Sequence, residues 1–579
     1  MTSMDPATVE IIRSYLTSAA EEMRATLMRT AFNPIIYEVL DFGISIYDSK
    51  MQALASAPGL AIFISANDVS IEPTIEHVGV ENLEPGDVVL MNYPYWNAGH
   101  VSDATILAPV FEPSSSLPAA YLCVRVHWAD LGAKDPGYVV DSTDMFQEGL
   151  VFPGTKVYKR GQPNQEIIDL LRFNSRMPEI VLGDLHAQIA TVRTGERRLH
   201  ELFAKFGRET VEAAIEKVIE SGERQARKKL LSLPQGSWTA VGYLDRDGIG
   251  DTPISDTPIR VQATVTNADG HLTISFDGSN GTVRGPINLP FGSTVAMCKV
   301  ALKALTTPHE PANAGHMRPL TVIAEPGNLF HAVPPAPTFT QWTTFIGIEM
   351  IFRALSEGMP GHVQAGCSGG DGGGFMVIGP HPDTGALVAL STSEGGGWGA
   401  VDGHDGADAL HHTLAATLRN TPIEVLESRT GLVVERLSIR QDSGGPGRFR
   451  GGVGVELAVR AVATGQMLSP TRTTTTEWVG VADGLGGPGS GNIVYAGSER
   501  ERHMGAFRID IEPGDRVITF SGGGGGHGDP RVRAREAVLE DVLDGYVSRE
   551  AAATVYGQEI PADLLSDGDL GGLPLGVID

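Results

Sequence analysis

The stretch Asn92-Tyr93-Pro94-Tyr95-Trp96-Asn97-Ala98-Gly99-His100-Val101-Ser102-Asp103 decides how the first part of the chain is read. A strand over Asp87–Met91 runs into it, and a Pro/Asn/Gly cluster breaks that strand into a turn. A second strand follows over Tyr121–His127, with Leu122, Val124 and Val126 on one face and Cys123, Arg125 and His127 on the other. His100 and Asp103 lie three positions apart in the turn, and His127 and Asp130 repeat that spacing at the end of the next strand. Two imidazoles and two carboxylates at the ends of neighbouring strands suit a hard-to-borderline divalent cation.

Outward from this turn, Leu40–Asp48 alternates, with Phe42, Ile44 and Ile46 on one face and Asp41, Gly43, Ser45 and Tyr47 on the other. A helix precedes these strands. Asp5 caps it, Pro6 suits its first position, and Ile12, Leu16, Met23 and Leu27 form its apolar stripe. Residues 165–230 read as helical, with Leu185, Ile189, Val192, Leu199, Phe203 and Phe206 at helical spacing. Short strands return from about 236 to 330, such as Arg260–Thr266 and Leu272–Phe276. A mostly apolar helix follows over 341–357, then Gly clusters alternate with strands up to 529. A final helix over 534–555 precedes a Gly/Asp/Leu-rich tail expected to fray. No tandem repeat is present. This order predicts an α+β chain of several subdomains rather than a doubly wound sheet. The expected division is 1–235, an N-terminal mixed α/β region with the candidate metal site; 236–430, mixed strand and helix; 431–530, a Gly-rich β region; and 531–579, a C-terminal helix and tail.

Composition limits the partners. The 579 residues carry 44 basic and 70 acidic side chains, a net charge of −26, and protonating all 16 His still leaves −10. Such a chain is a poor ligand for nucleic-acid phosphates or an anionic membrane. Cys123, Cys298 and Cys367 are sparse, odd in number and without a C-x-x-C pair, which argues against a disulfide framework or a thiolate zinc site. No signal peptide and no run of 18 apolar residues are recognised, so a cytoplasmic location is expected.

A hydrolytic metal site needs neutral imidazoles and carboxylates on the ion and one position open to water. Besides His100, Asp103 and His127, Asp41 begins a strand on its polar face, which makes a His₂Asp₂ set suited to zinc first, with manganese or iron as alternatives. H-x-x-D is a common spacing, and strand-end His and Asp often only satisfy loop amides. Spacing alone does not select Asp41 over Asp48 or Asp68.

Several stretches together resemble the hydantoinase B/oxoprolinase family. They are Asn92–Asp103; Val126-His127-Trp128-Ala129-Asp130-Leu131-Gly132-Ala133-Lys134-Asp135-Pro136-Gly137; Phe146-Gln147-Glu148-Gly149-Leu150; Gly183-Asp184-Leu185-His186-Ala187-Gln188; Asn313-Ala314-Gly315-His316-Met317-Arg318-Pro319; Glu394–Ala400; Asp442–Gly452; and the run ending in His527-Gly528-Asp529-Pro530. The resemblance covers nearly the whole chain in order. It implies a B-type subunit that pairs with an ATP-binding A-type subunit of actin-like ATPase fold in a hetero-oligomer. The partner phosphorylates the oxygen of a small-molecule substrate and the B-type subunit, carrying a divalent metal, completes the reaction. Hydantoins, 5-oxoproline and lactams are hydrolysed by such assemblies and ketones are carboxylated. The same resemblance implies Asp41, His100, Asp103 and His127 as the metal ligands. Tyr93 stands where many members have an acidic residue, so no role is carried over to that position.

Asp130 and Glu148 are the candidate acid/base groups. Asp130 suits either orienting His127 or capping its turn. The leading expectation is a metal-dependent subunit of an ATP-dependent cyclic-amide hydrolase, with a ketone carboxylase subunit and a non-catalytic scaffold for the ATPase as alternatives. Gly523-x-Gly525-x-x-Gly528 formally matches a dinucleotide fingerprint, but too little chain follows it for a Rossmann unit. The runs Gly369–Gly374, Gly395–Gly399 and Gly444–Gly452 read as tight turns where backbones approach closely. His404, His411 and His412, near Asp402 and Asp405, read as capping and solvated groups rather than a second metal site. No G-x-S-x-G elbow supports a serine hydrolase.

Overall fold

The structure is a computed structural model and describes residues 4–113, 115–249, 258–368 and 374–561. It is α+β, with helices packed on and between four largely antiparallel sheets. The first sheet holds the site. Its strands are β1 (Phe42–Asp48), β2 (Ala53–Ser56), β3 (Val88–Met91), β4 (Asp103–Val110), β5 (Ala120–His127), β6 (Pro153–Lys159) and β7 (Gln162–Pro163), in the spatial order β2-β1-β5-β4-β3-β6-β7.

The alternation in the sequence is correct, but the polar face of the central strands does not meet water. Every residue of β1, β4 and β5 is buried. On one side Phe42, Ile44, Ile46, Ala104, Ile106, Leu122, Val124 and Val126 form a core with the helices Pro6–Thr30 and Pro178–Phe206. The first of these helices is capped by Asp5, whose Oδ1 accepts the Ala7 N–H at 3.2 Å. The second is pinned to the sheet by Gln188, which donates to the carbonyls of Ala104 and Val124 at 3.0 and 2.9 Å and accepts Trp128 Nε1–H. One turn earlier Asp184 accepts the N–H groups of Phe32 and Asn33, which fixes the loop leading to Asp41. Burial pushes the Asp184 carboxyl up to about 6, against those two donors. The Gly183–Gln188 motif therefore has an architectural task.

The other side of the sheet carries buried polar residues and is covered by the helix Ala61–Val78. Its Asn67 donates to Gly43 O, and its Asn67 Oδ1 and Ser70 Oγ both receive bonds from Arg125. Burying a guanidinium is costly unless every donor is used. Arg125 also donates to Asn97 O, Asn97 Oδ1 and Ala98 O, so it braces the turn that precedes β4.

The helical stretch after this sheet is three helices, Gln165–Asn174, Pro178–Phe206 and Arg208–Ser232. A second sheet (Gly236–Leu244, Ile259–Ala268, His271–Ser275 and Leu320–Ile323) packs on the helices Phe291–Thr306 and Thr343–Gly358 around its own core. Two further sheets, of four and five strands, lie between Met376 and Phe520. In place of one helix over 534–555 there are two, Arg535–Leu543 and Arg549–Thr554. Gly545, at φ 78°, ends the first, and Ser548 caps the second. The expected tail and residues 369–373 of the run Gly369–Gly374 fall outside the described residues.

The glycine runs owe their composition to close approach rather than to left-handed turns. Segments around Gly397, Gly452 and Gly522–Gly525 lie side by side and exchange backbone bonds, Gly397 N to Gly522 O at 2.9 Å and Gly524 N to Gly452 O at 2.9 Å. A Cβ on Gly523 would stand 1.6 Å from Ser443 O, and one on Gly397 1.9 Å from Gly452 O. The run matching the dinucleotide fingerprint is thus filled by protein backbone and presents no phosphate cradle.

Candidate metal centre

The register of three neighbouring strands assembles the cluster. Asp103 pairs directly with His127 across β4 and β5. On the other side of β5, Phe42 pairs with Val126, which brings Asp41, one residue before β1, alongside His127. His100 comes from the turn before β4, where the His100 N–H donates to Asp103 Oδ2 at 3.2 Å and Asp103 N–H to His100 O at 3.0 Å. Gly99 is required there, since a Cβ would stand 2.7 Å from both Arg125 Nη1 and Asp103 Oδ2. Asn97 Nδ2 donates to Asp103 O at 2.7 Å and holds the first residue of β4.

His100, Asp103 and His127 each bring one ligand atom within 4.8 Å of the others. His100 Nε2 is 3.4 Å and His127 Nδ1 3.7 Å from Asp103 Oδ1, too far for good hydrogen bonds. His127 Nε2 lies 3.0 Å from Gly137 O, a carbonyl that only accepts, so Nε2 carries the proton. In neutral His127 the bare Nδ1 then faces the Asp103 carboxylate, and two lone pairs in that position require a proton or a cation between them. Asp41 Oδ1, His100 Nδ1 and Asp103 Oδ1 are buried with no hydrogen-bond partner. Two imidazoles and the Asp103 carboxylate within ligand reach of one another, with an unpaired buried oxygen on Asp103 and another on the neighbouring Asp41, fit a divalent cation, and the backing carbonyl on His127 is the usual orienting contact of a metal-binding imidazole.

The charges agree. Burial pushes the Asp41 carboxyl up to about 7, with His127 opposing and Asp103 adding to the rise. Burial brings His100 down to about 4, keeping its imidazole neutral and able to bind metal. Burial works against the Asp103 carboxylate, but His100, His127 and Arg125 together hold it below its usual range. Burial also opposes a charge on His127, and Asp103 and Asp41 outweigh it and raise the ring.

Other residues near the cluster were not singled out from the sequence. Phe339 stacks on His100, centroids 4.5 Å apart and planes 2° from parallel, and Tyr138 stands edge-on to Phe339 at 5.0 Å. The Tyr138 hydroxyl is buried without a partner, and burial raises it well above the usual phenol range, so it stays a proton donor. Arg125, two residues before His127 on the same strand face, was open to recognition by its alternation; Phe339 carries no local signal. Asp41, His100, Asp103, His127 and Tyr138 share the wall of one cavity with an empty volume of about 1130 Å³, part of it open to solvent.

Glu148 and Asp130 are placed differently. Glu148 Oε1 accepts Ser142 Oγ–H at 2.7 Å and the N–H groups of Thr338 and Phe339 at 2.9 and 3.1 Å, so it holds the backbone of the ring that covers His100. Its Oε2 is buried and unpaired, and burial pushes the carboxyl up to about 8. Asp130 is bound by Arg176 through Nη2 at 2.7 Å and Nε at 3.0 Å, and accepts the Gly132 N–H. Of the two roles open to it, the geometry is that of a turn cap and ion-pair partner, and neither residue lines the cavity.

The stretch His404–His412 does not form a local cluster. Asp405 is paired with Arg533, His411 lines the cavity, and His412 is drawn into a buried group with Glu349 and Cys367. None of the three Cys is in a disulfide and all are buried, and among the described residues no helix is long and apolar enough to cross a membrane.

The hydantoinase B/oxoprolinase family profile matches residues 5–530. A protein of Pseudomonas sp. strain NS671, described as a candidate B-type subunit of a D-/L-hydantoinase, is 31% identical over 96% of this chain and 95% of its own length. Among solved structures, the ATP-dependent caprolactamase from Pseudomonas jessenii superposes with a TM-score of 0.84 at 26% identity, covering 98% of this chain and 99% of that one. Acetone carboxylase in its nucleotide-free form superposes with a TM-score of 0.83 at 20% identity over 96% of this chain and 79% of that one, which extends the likeness of fold.

Proposed function

Because the chain belongs to the hydantoinase B/oxoprolinase family, we propose that it is the metal-holding B-type subunit of an ATP-dependent cyclic-amide hydrolase. It works with an ATP-binding A-type subunit in a hetero-oligomer. The observation that carries this reading is the close approach of His100, Asp103 and His127, with Asp41 alongside and an unpaired buried oxygen on each of the two carboxylates, in the wall of a cavity.

In this reading the partner transfers the terminal phosphoryl group of ATP to the ring amide oxygen, which makes the ring carbon a better electrophile. Water adds to that carbon, the ring C–N bond breaks with the nitrogen leaving as a protonated amine to give an acyl phosphate, and a second water releases phosphate and leaves the carboxylate. A divalent ion held by Asp41, His100, Asp103 and His127 would supply Lewis acidity at this point. Tyr138, protonated and unpaired, donates a hydrogen bond to a substrate oxygen over the cluster. Phe339 keeps bulk water off His100, and Glu148 positions Phe339. Asp130 keeps the loop after β5 in place through Arg176.

The test is the His100→Ala chain in its complex with the A-type subunit. We expect loss of bound metal and a fall in ATP-dependent ring opening of roughly 10³-fold, with the circular dichroism spectrum unchanged. Full turnover by the variant sinks the proposal. Bicarbonate dependence is the control, since a carboxylase needs it and a hydrolase does not.

A further inference from the structure

The carbonyl that fixes the proton on His127 belongs to Gly137, in the loop 135–141, and Tyr138 is the next residue of that loop. His127 offers a bare Nδ1 to a cation only while an acceptor holds its proton on Nε2. The place of this loop therefore sets what His127 can do.

The first region supplies part of the support. Gly137 N–H donates to Ala129 O at 2.7 Å, and Asp130 is held by Arg176. The rest comes from far along the chain, from the sheet that contains the strands Met376–Pro380, Gly465–Ser469 and Phe507–Ile511. Met376 pairs with Leu468, and Leu468 with Arg508, so the three form one row on one face of that sheet. All three meet the loop. A Cβ on Gly137, whose φ is 80°, would stand 2.6 Å from Met376 Cε, so the backbone angle and the close approach both call for glycine. Met376 and Leu468 share a small core with Val140, and Tyr138 packs against it. Arg508 Nη1 donates to Asp135 Oδ1 at 2.7 Å, and its Nη2 donates to Asp135 Oδ2 and, at 2.9 Å, to Asp141 Oδ1. One guanidinium thus ties both ends of the loop, and Gly137 and Tyr138 lie between the tied ends. A planar fork holds two carboxylates in fixed directions, which the point charge of a Lys does not.

We infer that Arg508 is a positioning residue for the metal cluster. By clamping Asp135 and Asp141 it keeps the Gly137 carbonyl on His127, and so raises the affinity of the cluster for its ion. The inference rests on the metal-holding reading of Asp41, His100, Asp103 and His127, and makes that site depend on a sheet more than 200 residues further along the chain.

The test is cobalt(II) binding by the complex with the A-type subunit, read by chelator competition and by the visible absorption band of the bound ion. Arg508→Met, which keeps the aliphatic stem, should weaken cobalt binding by about 10- to 100-fold, the usual effect of removing the support of a metal-binding imidazole, and should shift the band. Arg508→Lys, which keeps the charge and loses the fork, should fall between this variant and the parent. Arg533→Met is the structural control. Arg533 is bound as closely to Asp405 and Asp541, away from the loop, and its loss should leave affinity and band unchanged. Parent-like affinity and band in Arg508→Met overturn the inference; should that variant not fold, the same result in Arg508→Lys does. An equal loss of affinity in Arg533→Met also overturns it, because general loosening then explains the effect. His100→Ala separates the two readings. Cobalt lost from His100→Ala but held unchanged by the Arg508 variants removes the positioning role and keeps the metal cluster, whereas cobalt retained by His100→Ala removes both.

Discussion

Two buried groups among the described residues bring metal-type side chains together, and they differ in what their atoms have left to do. Asp41, His100, Asp103 and His127 line a cavity, and Asp41 and Asp103 each keep an unpaired buried oxygen there. Glu349, Cys367 and His412 lie equally close to one another but have closed their bonds. His412 Nδ1 accepts the Leu414 N–H at 3.3 Å, so its Nε2 carries the proton and donates to Glu349 Oε1 at 3.0 Å, while Glu349 Oε2 accepts the Cys367 N–H at 2.8 Å. Proximity of ligand types is common to both. A free lone pair directed at accessible space belongs to the first alone, and that is what separates a site from a strut.

This contrast is open to direct attack. Asp103→Ala removes the residue on which both imidazoles converge; metal analysis and an ATP-dependent ring-opening assay should show metal lost and turnover down by roughly 10³-fold. His412→Ala should leave metal content as it was and instead lower stability by about 2–3 kcal/mol, because the buried Glu349 carboxyl loses a hydrogen-bond donor; urea unfolding reads this. If His412→Ala sheds metal instead, the contrast collapses.

Glu148 stands between the two types, with Oε1 saturated and Oε2 unpaired. Its folded value of about 8 lies above the ordinary 4.5. Its contribution to stability is therefore full below about pH 4.5 and is lost as the pH rises through about 8. Glu148→Gln removes that dependence, so between pH 5 and 8.5 the variant should lose less stability than the parent, by on the order of 3 kcal/mol. Thermal melts across that range check the sign; parallel curves contradict it. Asp130→Ala is the mildest case. It frees the Gly132 and Arg176 N–H groups beside a half-exposed Arg176, and should cost about 1–2 kcal/mol with metal content unchanged.

Much of the first sheet was legible because strand alternation and turn chemistry are local. The alternation over Tyr121–His127 placed Arg125 and His127 on one face, and the turn placed His100 and Asp103 together. The same reasoning does not say what covers the polar face, since the helix that covers it arrives from elsewhere in the chain. The single helix expected over 534–555 is broken at Gly545, where one residue outweighed a periodic pattern. The glycine runs were correctly associated with close approach, but the partner segments that demand it lie far along the chain, as between Gly397 and Gly522.

Sequence by itself determined the residue types, their strand faces and the local His100–Asp103 turn, because these depend on periods of two to four residues. The choice among the acidic residues was decided by tertiary structure. Asp48 accepts the N–H groups of Lys50 and Gln52 in its own turn, and Asp68 is bonded to Tyr47 and Lys299, whereas the register of β1 on β5 carries Asp41 to His127. Tertiary structure alone also closed the apolar wall of the cavity, from Leu60, Phe345 and Leu418. Leu60 is hundreds of positions from the other two, and only the packing of separate segments, not any pattern within one of them, brings the three against the same space.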